Sequence, residues 1–191
     1  MTIETVLSIF LGIGLAASAG FRVFLPLFAL SLASYFDVWE LNESWSWIGG
    51  TAALVTLGIA TLVEIVAYYI PLIDNALDTI AVPLATVAGT AVMVSTMVDL
   101  SPVITWTLAI IAGGGTAAAI KGSAGATRLG STVSTAGIAN PLVSTVETVT
   151  AIIMSIISIF IPVLAIILVI LIFYAVFRLY KKLRPNKPKS S

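Results

Sequence analysis

The chain has 191 residues, of which 59% are hydrophobic and only 9% are charged, with a formal net charge of zero. A soluble domain is about 45–50% apolar and about 25% charged, so this composition argues against a soluble fold and predicts an integral membrane protein with helical spans. The chain contains no cysteine and no histidine, which excludes thiolate chemistry and argues against zinc sites and histidine-dependent catalysis.

The charges are unevenly distributed along the chain. Six of the nine basic residues lie in the last fourteen positions, at Arg178, Lys181, Lys182, Arg184, Lys187 and Lys189. Because cytoplasmic segments of membrane proteins are rich in lysine and arginine, we predict a basic cytoplasmic tail at 182–191 after a single transmembrane domain at 1–181. Nucleic-acid binding by this tail is not expected. The first residues lack the basic region of a cleavable signal peptide, so the first apolar segment is expected to be retained.

The first apolar stretch runs from Ile3 to about Ser34. As one straight helix it would be about 48 Å long, against a hydrocarbon core of about 30 Å. Glycine and proline weaken a helix, so a break is predicted at residues 18–22, one turn before Pro26. The polar connection 37–47 follows, and its tryptophans are predicted to lie at the membrane interface.

Five further spans are predicted in the rest of the chain. They cover about residues 48–70, 80–98, 103–120, 140–161 and 162–180, and Pro162 separates the last two. The fold class is therefore an all-α membrane protein, a bundle of about six membrane-embedded helices with broken or re-entrant segments and both termini in the cytoplasm.

Residues 113–140 contain many small residues. Gly113, Gly114 and Gly115 are predicted to let helix backbones approach closely. Residues 121–140 combine glycine, serine and threonine with two cations, which predicts either a loop or a segment that folds back into the protein and lines a wet cavity.

Two short motifs recur in the same order in both halves of the chain. Ser18-Ala-Gly-Phe-Arg22 is similar to Ser123-Ala-Gly-Ala-Thr-Arg128, and Val63-Glu64 is similar to Val146-Glu147. Three spans in each half would make an inverted three-helix repeat, an arrangement found in many transporters. The arginine and the glutamate are 42 residues apart in one half and 19 in the other, so chance similarity is an equally good interpretation.

Five charged residues lie in or beside apolar segments, at Arg22, Glu64, Lys121, Arg128 and Glu147. An unpaired charge in a membrane costs at least about 2.5–3.5 kcal/mol, so we expect these side chains to face the interior and to pair, Arg22 with Glu64 and Arg128 with Glu147. Together with Asn140 and Ser144 they are candidates for the lining of a substrate pathway. Ser144 begins a polar stripe with Thr148, Ser155 and Ser158 at helical spacing. Static salt bridges are an equally good interpretation of the charges.

Asp74 and Asp78 are four residues apart, a spacing that suits a hard cation if the segment is helical. A solvated turn beside Pro71 is the favoured interpretation. No metal site is therefore assigned, and no cofactor is expected.

Three separated motifs resemble a bacterial integral-membrane family catalogued as domain of unknown function 4126. They are Gly14-Leu-Ala-Ala-Ser-Ala-Gly-Phe-Arg-Val-Phe-Leu-Pro-Leu27, the Glu64…Ile70-Pro-Leu-Ile-Asp74…Asp78 stretch and Asn140-Pro-Leu-Val-Ser-Thr-Val-Glu147. The resemblance covers roughly residues 5 to 165. It implies a protein of the bacterial inner membrane and brings no activity with it.

The sequence favours a small permease or channel-like transporter for an unidentified small substrate or ion. The alternative is a membrane-embedded protein that binds a lipid or a hydrophobic pigment without transport. An enzyme is not expected, since no catalytic pair is evident. A bundle this thin, with small-residue faces, predicts a homo-oligomer, and membrane lipids are the other expected partners.

Overall fold

The structure, a computed structural model, describes residues 2–98 and 100–183. Within these residues all regular structure is helical. A 3-10 helix (Glu43–Gly49) precedes α3, and a π-helical segment (Ala109–Gly114) joins α5 to α6. Most of the predicted basic tail, residues 184–191, lies outside the described residues. The α-helices are α1 (Ile3–Phe21), α2 (Phe24–Tyr35), α3 (Thr51–Ala67), α4 (Pro71–Thr96), α5 (Pro102–Leu108), α6 (Gly115–Thr135), α7 (Asn140–Phe160) and α8 (Pro162–Leu183).

Four of the described helical stretches are long and apolar enough to cross a membrane. They are α1, the Ala76–Thr96 part of α4, the continuous helix Pro102–Thr135, and α7. The 3-10 helix and α3 form a fifth candidate, with a bend of 64° between them. α2 and the Pro162–Arg178 part of α8 are apolar but shorter. The helices are thus compatible with a multi-pass membrane protein, and by this criterion they supply four or five spans.

The predicted break in the first apolar stretch is present, and it reverses the chain. α1 ends just before Arg22, whose backbone is extended (φ −137°, ψ 123°), and α2 begins two residues later. Leu11 and Leu15 of α1 pack in one cluster with Leu30 and Ala33 of α2. α2 therefore runs back alongside α1, and the two helices form a hairpin.

The connection between α2 and α3 lies across the ends of α4 and α7. The indole Nε1 of Trp39 donates to the carbonyl oxygen of Ile159 (2.7 Å), and the backbone N–H of Asn42 donates to that of Ser95 (2.8 Å). Glu4, at the start of α1, borders the same cleft as Trp39. These elements meet at one end of the bundle, which we call the acidic end. Its acidic residues are Glu4, Asp37, Glu40 and Glu43.

The opposite end, which we call the basic end, contains the end of α3, the start of α4, the end of α6 and the start of α7. α8 starts beside the end of α7 at the acidic end and leads toward the basic end. Along the way Val169 packs with Ala17 and Ile120. The start of α1 and the end of α8 therefore lie at opposite ends of the bundle. The expectation that both termini share one side is wrong, because the α1–α2 hairpin adds a reversal of the chain.

Residues 121–135 are helical. The sequence analysis predicted either a loop or a segment that folds back into the protein, and both predictions are wrong for these residues. The helix runs without interruption over Pro102–Thr135, so the fourth span does not end near Ile120. Its buried cations, Lys121 and Arg128, are seven residues apart and thus lie on the same face. A left-handed Ala136 (φ 52°) ends the helix. The first arginine motif is a helix break and the second lies within a helix, so the local structure does not show the predicted repeat.

Glycines set the closest helix contacts. A Cβ placed on Gly113 would lie 2.6 Å from the carbonyl oxygen of Gly89, and one on Gly20 would lie 2.6 Å from Cβ of Ile120. The predicted close approach is therefore confirmed at Gly113, where α4 crosses the π-helical segment. Gly115, in contrast, faces open space.

The division of the last apolar region agrees with the sequence. α7 begins at Asn140, and Pro162 begins α8 directly after a one-residue break. The polar stripe of α7 is buried against α1. There the hydroxyl of Ser18 donates to the carbonyl oxygen of Ala151 (2.8 Å) and lies 2.8 Å from the hydroxyl of Ser155. Hydrogen bonding to backbone and hydroxyl groups thus satisfies this polar face inside an apolar bundle.

Candidate functional site

Six charged side chains are buried together where the α1–α2 break meets α3, α4, α6 and α7. Each is at most 7% exposed, and with the ring of Tyr68 they form a unit that we call the charge cluster. Three are cations and three are carboxylates, so the formal charges balance. The charged members are Arg22, Glu64, Asp74, Lys121, Arg128 and Glu147.

Arg128 on α6 pairs with two carboxylates. Its Nε donates to Oε1 of Glu147 (3.0 Å), and its Nη2 donates to the hydroxyl of Ser144 (3.0 Å) and to Oε2 of Glu147. Nη1 donates to Oδ1 of Asp74. The expected Arg128–Glu147 pair is therefore confirmed, and Asp74 is an additional partner from α4.

Arg22 does not pair with Glu64. Its Nε donates to the hydroxyl of Thr148 (2.9 Å), and its Nη2 donates to the carbonyl oxygen of Ser144 (2.8 Å). Nη2 also lies 3.8 Å from Oε2 of Glu147, which is therefore the carboxylate nearest to it. Nη1 has no hydrogen-bond partner among the described residues, although the side chain is fully buried.

Glu64 binds backbone instead of a cation. Its Oε1 accepts from the N–H of Val23 (2.7 Å) and its Oε2 from the N–H of Phe24 (2.9 Å). The first N–H groups of a helix have no intrahelical partner, and a carboxylate is favoured at a helix N-terminus. The break before α2 creates these donors, which explains why the pairing expected for Glu64 is wrong.

Lys121 is 2% exposed and its nitrogen donates to two neutral oxygens. One is the hydroxyl of Tyr68 at 3.1 Å, and the other is the carbonyl oxygen of Phe21 at 3.4 Å. In the described part of the chain no carboxylate oxygen lies within 4.0 Å of this ammonium. Lys121 is thus held by dipoles and by an aromatic ring.

Tyr68 is the centre of the cluster, and the sequence analysis did not select it. Its ring centroid lies 4.1 Å from Cζ of Arg22, 4.8 Å from Nζ of Lys121 and 4.5 Å from Cζ of Arg128. A desolvated cation–π contact contributes about 2 kcal/mol. The sequence feature that could have indicated Tyr68 is its position just beyond a helix that carries a buried glutamate.

The two aspartates have different surroundings. Asp74 is 2% exposed and bound to Arg128, while Asp78 is half-buried. No group of three or more aspartate, glutamate, histidine or cysteine side chains suited to a metal ion is found in the described ranges. The segment is also the first part of α4, so the alternative of a solvated turn is wrong as well.

Two clefts reach the cluster. At the basic end a cleft of about 270 Å³ is bordered by Asp74, Tyr68 and Asn140, and the side chain of Asn140 donates to the hydroxyl of Thr132 (3.1 Å). A second cleft, of about 370 Å³, lies between α3 and α4 and is apolar apart from Glu64, Tyr68 and a threonine. Of the seven predicted site residues, five are members of the cluster, and Ser144 is hydrogen-bonded to it. Asn140 lies in the adjoining cleft at the basic end.

Apolar helices long enough to cross a membrane, with a compact ionic cluster buried among them, are compatible with a multi-pass helical membrane protein. The chain belongs to the family described as Domain of unknown function (DUF4126), whose family model matches residues 9–182. The resemblance seen in the three motifs is confirmed by this match. No curated protein and no solved structure matches the chain.

Proposed function

We propose that the protein is a small permease of the bacterial inner membrane, with the C-terminal tail in the cytoplasm and the charge cluster as its binding site. The observation that carries this proposal is the burial of six charged side chains beside a helix break. Buried charges are costly in a membrane and mark substrate pathways, and broken helices place free backbone groups at the binding sites of many transporters. We assign no catalytic reaction to the cluster.

The proposed architecture has six embedded segments. One segment is the α1–α2 hairpin, which is a re-entrant unit. The other five are the 3-10 helix together with α3, then α4, the Pro102–Thr135 helix, α7 and α8. The helical half-segments that meet at Arg22 support a carrier, because a break permits the two halves to move separately.

Self-association is the second part of this architecture. Exposed small residues follow one face of α6, at Gly115, Ala119, Gly122 and Ala126. Such faces let helices of two subunits approach closely. Gly122→Trp should shift the protein toward monomers in size-exclusion chromatography with light scattering, whereas an unchanged mass, or a monomeric wild type, would contradict the assignment.

Cysteine accessibility tests the carrier mechanism, because the chain has no native cysteine. In proteoliposomes, Ser144→Cys probes the cluster, Thr132→Cys probes the cleft at the basic end, and Ala16→Cys probes the sealed core. A carrier exposes its site to each side in turn, so a membrane-impermeant methanethiosulfonate should modify Ser144→Cys from both sides. Modification of Ser144→Cys from one side only, or from neither, would refute transport through the cluster. Thr132→Cys should react and Ala16→Cys should not.

A second candidate function is binding of a lipid or hydrophobic pigment without transport. The cleft between α3 and α4 favours it, since its lining is apolar apart from Glu64, Tyr68 and Thr56. Ala60→Trp would fill this cleft, while Ile153→Trp places the same indole on the outer surface of α7. Mass spectrometry should find a co-purifying amphiphile that only Ala60→Trp displaces. An identical lipid content in both variants would contradict it.

A further inference from the structure

The carboxylates of the charge cluster are unequally shared among its cations. Arg128 binds both Glu147 and Asp74, and Glu64 is bound by the first backbone N–H groups of α2. Among the described carboxylates, Arg22 contacts only Glu147, at 3.8 Å. Within the described residues, neither Arg22 nor Lys121 therefore has a carboxylate oxygen at hydrogen-bonding distance.

Two buried donor groups thus lack an anionic acceptor in the described part of the chain. Nη1 of Arg22 has no acceptor within the described residues, and Lys121 donates only to neutral oxygens, one of them at 3.4 Å. Both cations contact the ring of Tyr68, at 4.1 and 4.8 Å from its centroid, so the two charged groups lie close together. Buried donors are nearly always satisfied, and an orphaned one points to a bound ion or water.

We propose that the cluster binds a small oxyanion, a carboxylate or phosphate group, between Arg22 and Lys121. A guanidinium supplies directional donors for oxygen pairs, and an ammonium supplies a compact positive charge beside it. The hydroxyl of Tyr68 accepts from Lys121, which leaves its own proton to donate to the same anion. That this anion is the cargo rests on the proposed transport function, whereas its binding does not.

Binding is measured by thermal unfolding and calorimetry of purified full-length protein in detergent. The probes are sodium phosphate, sodium acetate, and mixed micelles containing phosphatidylglycerol, each compared with sodium chloride at equal ionic strength. Saturable stabilisation by phosphate or acetate identifies a free oxyanion as the occupant, and stabilisation by phosphatidylglycerol alone identifies a lipid headgroup. No stabilisation by any probe, or equal stabilisation by chloride, would overturn the proposal.

Variants locate the site. Lys121→Gln removes one buried cation, and Arg178→Gln removes an exposed cation near the end of α8 as the matched control. Loss of one charge-assisted hydrogen bond should weaken binding by about tenfold or more in Lys121→Gln and leave it unchanged in Arg178→Gln. If Lys121→Gln does not fold, Arg22→Lys tests the same point, since it keeps the charge and removes the guanidinium fork. Wild-type affinity in the cluster variants would refute the assignment.

Flux of labelled phosphate and acetate into proteoliposomes separates the two proposals. Binding without flux supports the oxyanion site and refutes the anion as a transported cargo. Two-sided modification of Ser144→Cys, combined with an absence of oxyanion binding, supports the permease and refutes the oxyanion as its cargo.

Discussion

At the scale of single residues, Glu64 acts as a helix cap inside an apolar bundle. Its two oxygens accept from the N–H groups of Val23 and Phe24, and the side chain is 7% exposed. Removal of the carboxylate leaves buried donors unsatisfied, which costs about 1–3 kcal/mol. The cap therefore holds the geometry of the break on which the cluster depends.

Glu64→Ala should lower the free energy of unfolding in detergent by about 1–3 kcal/mol, because both N–H groups of the break lose their acceptor. Glu64→Gln keeps one acceptor oxygen, so it should be destabilised less. Denaturant titration followed by circular dichroism gives the values. Equal stability of wild type and Glu64→Ala would show that the cap is not formed.

Arg128 and Glu147 should be strongly coupled. Arg128→Ala leaves two carboxylates buried without their partner, so it should cost about 3–5 kcal/mol, and the additional change Glu147→Ala should recover part of this loss. Arg22→Ala should be destabilising too, but its coupling with Glu64→Ala should be smaller than that of Arg128 with Glu147. A double-mutant cycle measures both couplings, and the reverse order would contradict the observed pairing.

At the scale of helices, α1 packs where glycine lets its neighbours approach. Gly20 of α1 lies against Ile120 and the backbone of Ala117, both on α6. Gly122 is also on α6, but a Cβ added there would have no heavy atom within 4 Å. A methyl group added at Gly20 would therefore be crowded, and one added at Gly122 would lie in open space.

Gly20→Ala should destabilise the protein by about 1–3 kcal/mol through overpacking. In detergent that keeps the protein monomeric, Gly122→Ala should be neutral or stabilising by up to about 1 kcal/mol, because alanine favours the helix and its methyl group meets no atom of the same chain. Thermal unfolding in detergent compares the two variants. A loss of stability in Gly122→Ala that occurs only in detergent that preserves an oligomer would indicate a contact between subunits on that face and would support the oligomer.

At the scale of the whole molecule, charge is separated along the bundle. The acidic end carries Glu4 and the 37–43 connection, while Arg178 and Lys181 lie toward the end of α8 at the other end. On the positive-inside rule, we expect the basic end to face the cytoplasm. This orientation agrees with the position of the cluster, whose cations lie toward the basic end.

Cysteines at Glu4 and Ser44 should be labelled from the same side of the membrane, and a cysteine at Lys181 from the opposite side. All three positions are exposed, and the hairpin places the first two at the acidic end. Labelling with an impermeant maleimide before and after lysis of oriented vesicles distinguishes the sides. Labelling of Glu4→Cys and Lys181→Cys from one side would refute the hairpin topology.

Local composition was sufficient for much of the fold. The apolar runs predict helices in a membrane, and the break before Arg22, the start of α7 at Asn140 and the division at Pro162 follow from glycine and proline chemistry. The burial of Arg22, Glu64, Lys121, Arg128 and Glu147 also follows, because charge in an apolar segment is too costly to leave toward lipid.

The partners of these residues could not be read from the chain. Whether α2 continues α1 or reverses beside it depends on the packing of Leu11 against Leu30, and that reversal places the start of α1 opposite the end of α8. The same reversal frees the first N–H groups of α2, and these groups bind Glu64. Because Glu64 is bound there, Arg22 has Glu147 as its nearest carboxylate. Burial of a charge is a property of its own segment, but pairing depends on distances between segments, and only the tertiary arrangement sets them.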